Sequence, residues 1–472
     1  MARKNISSLH LPHNKHTDNV EPVRIETPEE VVLPMDMHSG DHAIPVVNVG
    51  DRVLVGQLIA KEGDRFSSPV HATVSGTVTE ISEMVDQPYR LHLHGLAYDK
   101  SGELTNKPRR SKPTLAIHIK SDGKMEKDPG LKPPVFETAD EFLQAIRESG
   151  CVGLGGAAFP TWAKLNEMKN PEYKVKHVLI NAAECEPYIT SDQWMMIKHP
   201  DLIDKGIAYM RKYLAEYLHD ADFIICIEEN KPRAIEAMKE TFKDQKDVKI
   251  QVLKAIYPQG AKQVMLYNAT GKVSIAGKRF PYFGAVIINV SSLAKTAEYL
   301  STGMPLVERI VTVDGSAVKT PMVLEAPIGT RISTLLSYTG LKSDPGKIII
   351  GGPMNGTATA GIDDPIVKVS NCILAFDEKE AVLPAPTACI HCGRCVNICP
   401  VGINVASVEP ALAIEDENLR AKKLIDTGIR QCVDCASCAY VCPANRKLLQ
   451  ANGQAKRFLK NWEKTQSNGG KR

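Results

Sequence analysis

The sequence lacks any long hydrophobic run. Its best apolar stretches are short, such as Ala285–Val290, whereas a membrane-spanning helix needs about 18 or more apolar residues. The start, Met1–Asn5, has two basic residues but no apolar segment behind them, so we predict no signal peptide. A net charge of +3 is too small to indicate nucleic acid or a membrane surface as partner. We therefore expect the chain on the cytoplasmic side of whatever membrane it meets.

Evenly distributed cysteines are missing as well. Eight of the twelve cysteines lie within Cys389–Cys442, and the other four, Cys151, Cys185, Cys226 and Cys372, are scattered. A secreted disulfide framework would be shorter and would carry its cysteines at more even spacing. The crowding is instead typical of metal ligands.

The crowded segment contains one spacing twice. The run Cys-x2-Cys-x2-Cys-x3-Cys-Pro extends from Cys389 to Pro400 and again from Cys432 to Pro443. This spacing is that of two-cluster bacterial ferredoxins, in which the fourth cysteine of each run binds the other cluster. The alternatives are two zinc ribbons or cysteines without metal, but zinc sites do not need a third cysteine plus Cys-Pro in each run. We predict two [4Fe–4S] clusters, one held by Cys389, Cys392, Cys395 and Cys442, the other by Cys432, Cys435, Cys438 and Cys399.

The rest of the chain divides into segments with different patterns. Short strands and turns come first, and alternating helices and buried strands follow, which indicates an α/β layer with a mainly parallel sheet. A stretch rich in proline and lysine, Lys124–Pro134, separates the two as a predicted linker. The predicted segments are an extended arm (1–30), a β domain (31–123), an α/β domain (135–303), a region of short strands and glycine-rich turns (304–372), the cysteine domain (380–450) and a basic tail (451–472).

Individual elements are predicted within this plan. After Cys442 the tail has eight basic residues against one acid, Glu463. We expect a solvated, frayed segment there, and a patch for an acidic partner or anionic lipid is the alternative. Helices are predicted over Asp140–Ser149, Leu202–Leu218 and, despite Pro410, Val408–Lys423; strands are predicted over Val46–Val49, Val178–Ile180, Phe223–Ile225 and Val286–Ile288.

A glycine-rich loop, Gly150–Lys164, follows the first of these helices. Glycines let backbone N–H groups approach a phosphate, and the start of a following helix adds its dipole. Asn181, Glu184 and Glu186 follow a buried strand, where ligands bind in open α/β sheets. Because clusters take one electron at a time, we expect a flavin upstream that accepts electron pairs.

Two motifs resemble known ones. Gly153-x-Gly155-Gly156-Ala157-x-Phe159-Pro160-Thr161-x2-Lys164 and Asn181-x2-Glu184-x-Glu186-Pro187 look like the FMN- and NADH-binding motifs of the complex I flavoprotein subunit. With the cysteine runs, the chain is similar to the C subunits of Rnf complexes over nearly its whole length. His10–Thr17 resembles that family's amino-terminal motif, residues 50–78 its barrel-sandwich domain, and Gly329–Gly356 its SLBB module.

The resemblance implies a multidomain α/β fold. A barrel-sandwich β domain would be followed by a Rossmann-like FMN/NADH domain, a β-grasp SLBB domain and a C-terminal α-helical ferredoxin domain with two [4Fe–4S] clusters. No catalytic side chain is expected, because the family's chemistry needs no acid or base. By this resemblance the FMN phosphate and ribityl chain would be held by Gly153, Gly155, Gly156 and Lys164, and the flavin would be lined by Asn181 and Glu184. Phe159 would stack on the nicotinamide nucleotide, and Glu186 would accept hydrogen bonds from its hydroxyls. Two later turns that resemble flavin contacts contain Tyr257, Gly260, Asn289 and Ser292.

Three positions depart from the complex I motifs. Leu154 replaces an arginine, Ala158 a glycine and Ala183 an acidic residue. These departures weaken the expected nucleotide contacts more than the flavin contacts. A degenerate nucleotide domain that serves only as a scaffold is the alternative.

The implied function is that of the NADH-oxidising subunit of a membrane-bound, ion-translocating NAD–ferredoxin oxidoreductase. Electrons would pass from NAD(H) through FMN and the clusters to other Rnf subunits, including the ferredoxin-like B subunit, and indirectly to ferredoxin. Partners would couple this flow to Na⁺ or H⁺ translocation, with this chain peripheral on the cytoplasmic face of the cell membrane. The alternatives are a soluble relative, such as a cobalamin reductase or the electron donor of proline reductase, and a non-enzymatic electron relay.

Overall fold

A computed structural model describes residues 6–64, 66–84, 114–359 and 361–469, with side chains to residue 466. The first domain consists of two small antiparallel sheets that share one apolar core. The predicted strand Val46–Val49 is wrong: the strand ends at Pro45, and Val46 and Val49 are exposed in the turn that follows it. One sheet has the order β2 (Glu30–Pro34), β8 (Thr114–Ser121), β7 (Gly76–Met84), β4 (Arg52–Val53), and the other β3 (Ile44–Pro45), β5 (Leu58–Lys61), β6 (Val70–His71).

The second domain is built on a parallel four-stranded sheet, as predicted. Three of its strands contain continuous buried apolar runs, Val178–Ile180, Phe223–Ile227 and Ala285–Ile288, which is typical of a sheet covered on both faces. The order is β11 (Val248–Leu253), β10 (Leu218–Glu228), β9 (Val175–Ala182), β12 (Ala285–Asn289), and the helices are α1 (Ala139–Glu148), α2 (Thr161–Asn166), α3 (Ser191–Lys198), α4 (Pro200–Tyr213), α5 (Pro232–Thr241), α6 (Lys262–Thr270) and α7 (Val290–Thr302).

Two helices show how local sequence sets the boundaries. Thr138 and Glu141 form a reciprocal capping box that starts α1, and Gly150, at φ +71°, follows its end and leads into the glycine turn. The prediction of a helix over Leu202–Leu218 is wrong at its end. A 3₁₀ turn follows α4, and Leu218 continues the buried apolar pattern as the first residue of β10.

The third domain, the one predicted as a β-grasp, is a mixed six-stranded sheet with one helix. The arm contributes β1 (Val23–Arg24), which pairs in parallel with β14 (Met322–Pro327). The buried central strand β17 continues to Phe376, beyond the boundary predicted at residue 372. The order is β1 (Val23–Arg24), β14 (Met322–Pro327), β13 (Glu308–Asp314), β17 (Cys372–Phe376), β15 (Lys347–Ile350), β16 (Thr357–Ala358), and the helix is α8 (Ile332–Thr339).

The C-terminal domain is helical. The single helix predicted over Val408–Lys423 is wrong, because the helix ends at Leu412. A new helix then begins, and the side chain of Asp416 caps it by accepting from the N–H of Leu419. Within the described ranges, no helix has the length and apolarity that a bilayer crossing requires. The helices are α9 (Glu378–Ala381), α10 (Arg394–Asn397), α11 (Val408–Leu412), α12 (Glu417–Asp426), α13 (Ser437–Tyr440) and α14 (Leu448–Gly469).

The expectation of a frayed basic tail is also wrong. The tail forms most of α14, and one stripe of this helix is buried in the core of the C-terminal domain. Its basic side chains occupy the remaining faces of the helix, so the amino-acid composition of the tail does not reveal the stripe. The stripe consists of Leu448, Ala451, Ala455 and Leu459.

Candidate functional site

A cavity of about 550 Å³ opens at the carboxyl ends of β9 and β12. Its volume is within the usual range of cofactor sites. Eight of the twelve predicted cofactor residues line it: Gly155, Gly156, Asn181, Glu184, Glu186, Tyr257, Gly260 and Asn289. The other four, Gly153, Phe159, Lys164 and Ser292, lie outside its wall.

The glycine turn spans residues 153–159. The N–H of Gly153 donates to the carbonyl of Phe159 at 2.8 Å, which closes the turn. Gly156, at φ +110°, has no atom within 4 Å of where a Cβ would stand, so its backbone is open to a ligand. Ser292 supports the turn from behind: its hydroxyl accepts from the N–H of Leu154 at 2.8 Å and donates to the carbonyl of Val152 at 3.1 Å.

Phe159 faces the first domain. Its ring lies 5.8 Å from that of Phe66, a side chain that is half exposed. The N–H of Ser39 donates to the carbonyl of Ala158 at 2.9 Å, which ties the same domain to the end of the turn. The barrel-sandwich domain therefore contacts the glycine turn directly.

Lys164 lies on α2, immediately after the glycine turn. Burial, together with neighbouring Lys262, lowers the pKa of Lys164 to about 7. Lys262, the first residue of α6, also has a lowered pKa because of burial. Two half-buried lysines, one of them directly after the glycine turn, suit an anion such as a phosphate.

The acidic turn, residues 184–189, follows β9. The carboxylate of Glu184 accepts from the N–H groups of Asp192 at 2.6 Å and Gln193 at 3.3 Å, at the start of α3. Burial nevertheless raises the pKa of Glu184 to about 7. Glu184 thus caps a helix as well as lining the cavity.

Amide side chains complete the α/β wall. The Nδ2 of Asn181 donates to the carbonyl of Gly260 at 3.0 Å, and the Nδ2 of Asn289 donates to Asp192 at 2.7 Å. Asp192 lines the cavity, is only 8% exposed, and was missed by the sequence analysis. Its position at the start of a helix in a polar stretch gave no distinguishing signal.

The β-grasp domain supplies a second wall that the sequence analysis did not anticipate. The N–H of Met354 donates to Oε2 of Glu186 at 3.0 Å, and the Nδ2 of Asn355 donates to the Tyr257 hydroxyl at 3.0 Å. A Cβ on Gly352 would stand 2.2 Å from Oε2 of Glu186, so the absent side chain makes room for that carboxylate. A glycine-rich turn was recognisable here, but nothing in the sequence linked it to the acidic turn.

The cysteine domain supplies the third wall. Val433, Asp434 and Cys435 line the same cavity. Cys435 also packs in a small apolar group with Tyr257 and with Leu9 of the arm. One cysteine of the second run therefore lies at the edge of the cavity that holds the predicted flavin residues.

Four cysteines surround a separate, small cavity. They are Cys399 of the first run and Cys432, Cys435 and Cys438 of the second. Their sulfurs accept hydrogen bonds: the N–H of Ile403 donates to Cys399 at 3.3 Å, and Asn452 donates to Cys432 at 3.8 Å and Cys438 at 3.7 Å. Buried thiols that converge with donors aimed at their sulfurs fit an iron–sulfur cluster.

The other predicted set lies toward the surface. Burial raises the pKa of the Cys395 thiol, and neighbouring Cys442 and Cys389 add to the shift. Cys389 and Cys392 are exposed. In the described parts of the chain, no three His, Cys, Asp or Glu side chains converge closely enough to hold a single metal ion. Cys399, Cys432, Cys435 and Cys438 instead surround a cavity.

Comparison with known families agrees with this arrangement. The model of the Nuo51 FMN-binding domain matches residues 146–298, that of the RnfC barrel sandwich hybrid domain residues 6–91, and that of the 4Fe-4S dicluster domain residues 388–446. The C subunit of the Na⁺-translocating ferredoxin:NAD⁺ oxidoreductase complex of Acetobacterium woodii is 34% identical over 85% of this chain and 85% of that protein. The chain belongs to the RnfC family. The predicted family and the predicted fold class are both confirmed.

Other RnfC relatives differ in length. The C subunit of the proton-translocating ferredoxin:NAD⁺ oxidoreductase complex of Clostridium ljungdahlii is 36% identical over 83% of this chain and 80% of that protein. The C subunit of the ion-translocating oxidoreductase complex of Yersinia pestis is 35% identical over 84% of this chain, which spans 60% of that longer protein. An NAD⁺-reducing [NiFe]-hydrogenase structure has 18% identity and a TM-score of 0.44, over 70% of this chain and 62% of that chain.

Proposed function

We propose that this chain is the NAD(H)-oxidising subunit of an Rnf-type ferredoxin:NAD⁺ oxidoreductase complex. In this role it holds FMN in the large cavity and two [4Fe–4S] clusters in the cysteine domain. The observation that carries the proposal is the shared wall: Cys435 lines the same cavity as Glu186, Tyr257 and the glycine turn. A group bound there lies beside a cluster ligand, as electron transfer requires.

The chain's own residues would hold the flavin rather than react with it. The open backbone at Gly156 and the ammonium of Lys164, which follows the glycine turn, would bind the phosphate end, since both suit an anion. Asn181 and Asn289, whose amides are fixed by hydrogen bonds, would orient the ring system. Bound FMN supplies the conversion between hydride transfer and single-electron transfer.

The positions of the cysteines support an order for the two clusters. The cluster of Cys399, Cys432, Cys435 and Cys438 would lie next to the flavin, since Cys435 lines both cavities. The cluster of Cys389, Cys392, Cys395 and Cys442 would be the exit, since Cys389 and Cys392 are exposed and accessible to a partner.

Partners and location follow from the family. The relatives' names describe subunits of complexes that translocate Na⁺ in one organism and protons in another. We infer that this chain docks on the cytoplasmic face of membrane subunits and passes electrons to the ferredoxin-like B subunit and, indirectly, ferredoxin. The soluble relatives and the non-enzymatic relay remain the competing functions.

Anaerobic purification tests the proposal. We expect FMN, about eight irons per chain as two cluster motifs require, and bleaching of the flavin by NADH followed by reduction of the clusters. Intact clusters without flavin would overturn the enzymatic function in favour of a relay. Co-fractionation with membranes that is lost on salt washing would separate the Rnf role from the soluble relatives.

A further inference from the structure

The amino-terminal arm runs along the wall of the cavity. Leu9 pairs with Tyr257 through two backbone hydrogen bonds, of 2.7 and 2.8 Å. The N–H of Tyr188, in the acidic turn, donates to the carbonyl of His13 at 2.9 Å. The arm is thus fixed to two of the turns that line the large cavity.

A buried contact fixes the next part of the arm. The hydroxyls of Thr17 and Thr190 lie 2.7 Å apart, and both residues are fully buried. The indole N–H of Trp194, on α3, donates to the carbonyl of Thr17 at 3.0 Å. The arm segment between His13 and Thr17 is therefore held at both ends.

Lys15 lies in the middle of that segment. Its ammonium group donates to the carbonyls of Glu184 at 3.0 Å, Glu186 at 2.9 Å and Ile189 at 2.5 Å. An ammonium group has three N–H donors, and each has a carbonyl of the acidic turn. Lys15 thus joins three carbonyls of the turn, and Lys231 adds a longer contact of 3.4 Å to the carbonyl of Glu184.

This contact determines where the acidic side chains point. Glu184 has φ +48° and Tyr188 has φ +72°, conformations that non-glycine residues adopt rarely. Those conformations turn the carbonyls toward Lys15, so the carboxylates of Glu184 and Glu186 are directed away from it, toward α3 and Tyr257. Without this ammonium group the carbonyls of Glu186 and Ile189 would lose a donor, and that of Glu184 would keep only the Lys231 ammonium at 3.4 Å, so fewer contacts would offset the backbone strain.

Placing an ammonium group here is costly. Burial and, to a smaller extent, the nearby Lys231 lower the pKa of Lys15 to about 8, while Glu184 and Glu228 oppose the change. Lys231 is itself buried and paired with Glu228 at 3.2 Å. A buried cation is tolerated only where its hydrogen bonds are complete. The three carbonyls of the acidic turn complete the hydrogen bonds of Lys15.

We propose that Lys15 is a positioning residue of the flavin site, which sets the acidic turn so that Glu184 and Glu186 line the cavity. This inference rests on the proposed function, because it assumes that the cavity holds FMN. It assigns to the arm a part in cofactor binding rather than only in joining domains.

The test compares Lys15→Met and Lys15→Gln with the control Glu21→Gln, which breaks the exposed ion pair of the same arm with Lys198. The measurements are the FMN dissociation constant, from flavin fluorescence, and the midpoint potential of the bound flavin. Iron content and circular dichroism report folding. We expect both Lys15 variants to bind FMN at least about tenfold more weakly, the equivalent of one unsatisfied buried group, with a shifted flavin potential, and the control to match wild type.

A folded Lys15→Met protein with wild-type affinity and potential would overturn the inference, even if its unfolding temperature falls. If Lys15→Met does not fold, Lys15→Gln decides by the same two measurements, since its amide keeps two donors for the carbonyls. A wild-type protein that binds no FMN would overturn the proposed function together with this inference, and so is distinguishable from failure of the inference alone.

Discussion

The hydroxyl of Tyr257 donates a hydrogen bond to Oε1 of Glu186 at 3.3 Å. The other oxygen of that carboxylate accepts from the N–H of Met354, in the β-grasp domain, at 3.0 Å. Burial outweighs the effect of these bonds and raises the pKa of Glu186 to about 7. A single carboxyl group therefore joins two domains at the edge of the cavity and titrates near neutral pH.

This raised pKa gives stability a pH dependence. Between the ordinary pKa of 4.5 and about 7, the folded chain keeps a proton on Glu186 that the unfolded chain has released, so this residue lowers stability as pH rises through that window. Glu186→Gln cannot ionise, so we expect its unfolding temperature to rise relative to wild type between about pH 5 and pH 8, by the equivalent of about 3 kcal/mol at most. The unfolding temperature of the exposed control Glu236→Gln should follow that of wild type at every pH. If the difference in unfolding temperature between Glu186→Gln and wild type does not change with pH, the raised pKa of Glu186 is contradicted.

Gly352 makes room for the same carboxylate. Gly352→Ala would place a Cβ 2.2 Å from Oε2 of Glu186, and overpacking of this kind costs about 1–3 kcal/mol. If this strain displaces Glu186 and so distorts the cavity, FMN binding weakens by roughly tenfold or more, which flavin fluorescence measures. Gly361→Ala, in the same domain, is the matched control, because its nearest neighbour would be 4.0 Å away. Equal FMN affinity in both variants would show that the β-grasp loop does not shape the site.

Crossed ligation makes a prediction about pairs of cysteines. Cys399→Ser should lose the same cluster signal as Cys435→Ser, because these two cysteines line one cavity. Cys442→Ser should lose the same signal as Cys389→Ser, because both are neighbours of Cys395. Electron paramagnetic resonance of the reduced proteins distinguishes the two signals. Loss of one signal by both Cys399→Ser and Cys389→Ser would instead indicate that each run holds its own cluster.

Asn452 should tune the cluster next to the flavin. Its amide donates to the sulfurs of Cys432 and Cys438, and hydrogen bonds to sulfur help to set cluster potentials. Asn452→Leu removes two donors that favour the more negative reduced cluster, so we expect a lower midpoint potential in a redox titration followed by electron paramagnetic resonance. Gln466→Leu, an exposed position on the same helix, should leave the potential unchanged, and a matching change there would point to a general effect of the helix.

Lys368 connects three domains. Its ammonium group donates to the hydroxyl of Ser68 at 3.1 Å and to the carbonyls of Pro69 at 2.7 Å and Gly150 at 2.8 Å. Lys368→Met leaves the Pro69 carbonyl without this donor, while the Gly150 carbonyl keeps the Ser68 hydroxyl at 3.0 Å, so we expect a loss of about 1–3 kcal/mol and faster proteolysis between the domains. Calorimetry and limited proteolysis measure both effects. Exposed Lys319→Met, in the same domain, should change neither, and stable, protease-resistant Lys368→Met would contradict this role.

The parts of the site that could be predicted are local in sequence. The spacing of the cysteine runs predicts Cys399 together with Cys432, Cys435 and Cys438, and these four line one cavity. The glycine turn and Asn181 follow a helix and a strand whose sequence patterns are clear. The parts that could not be predicted depend on contacts between distant segments. Gly352 meets Glu186, and Lys15 meets Glu184, only after separate domains have packed. No single-sequence pattern encodes those pairings.

The errors in helix prediction have local causes. Pro410 lies in the first turn of α11, where it is harmless, and the actual break comes after Leu412. In the tail, apolar residues recur every three or four positions from Leu448, which is the pattern of an amphipathic helix, whereas the number of basic residues suggests a solvated segment. Periodicity was the better guide there, because a helix needs only one apolar face to pack.

The cavity draws its walls from Gly155, Gly352 and Cys435, which are separated by most of the chain's length. Domains generally fold in order from the amino terminus during synthesis. The third wall does not exist until the ribosome has made residue 435, so the complete pocket forms only after the cysteine domain has been synthesised. Final capture of a cofactor must therefore wait for that domain, long after the glycine turn has left the ribosome.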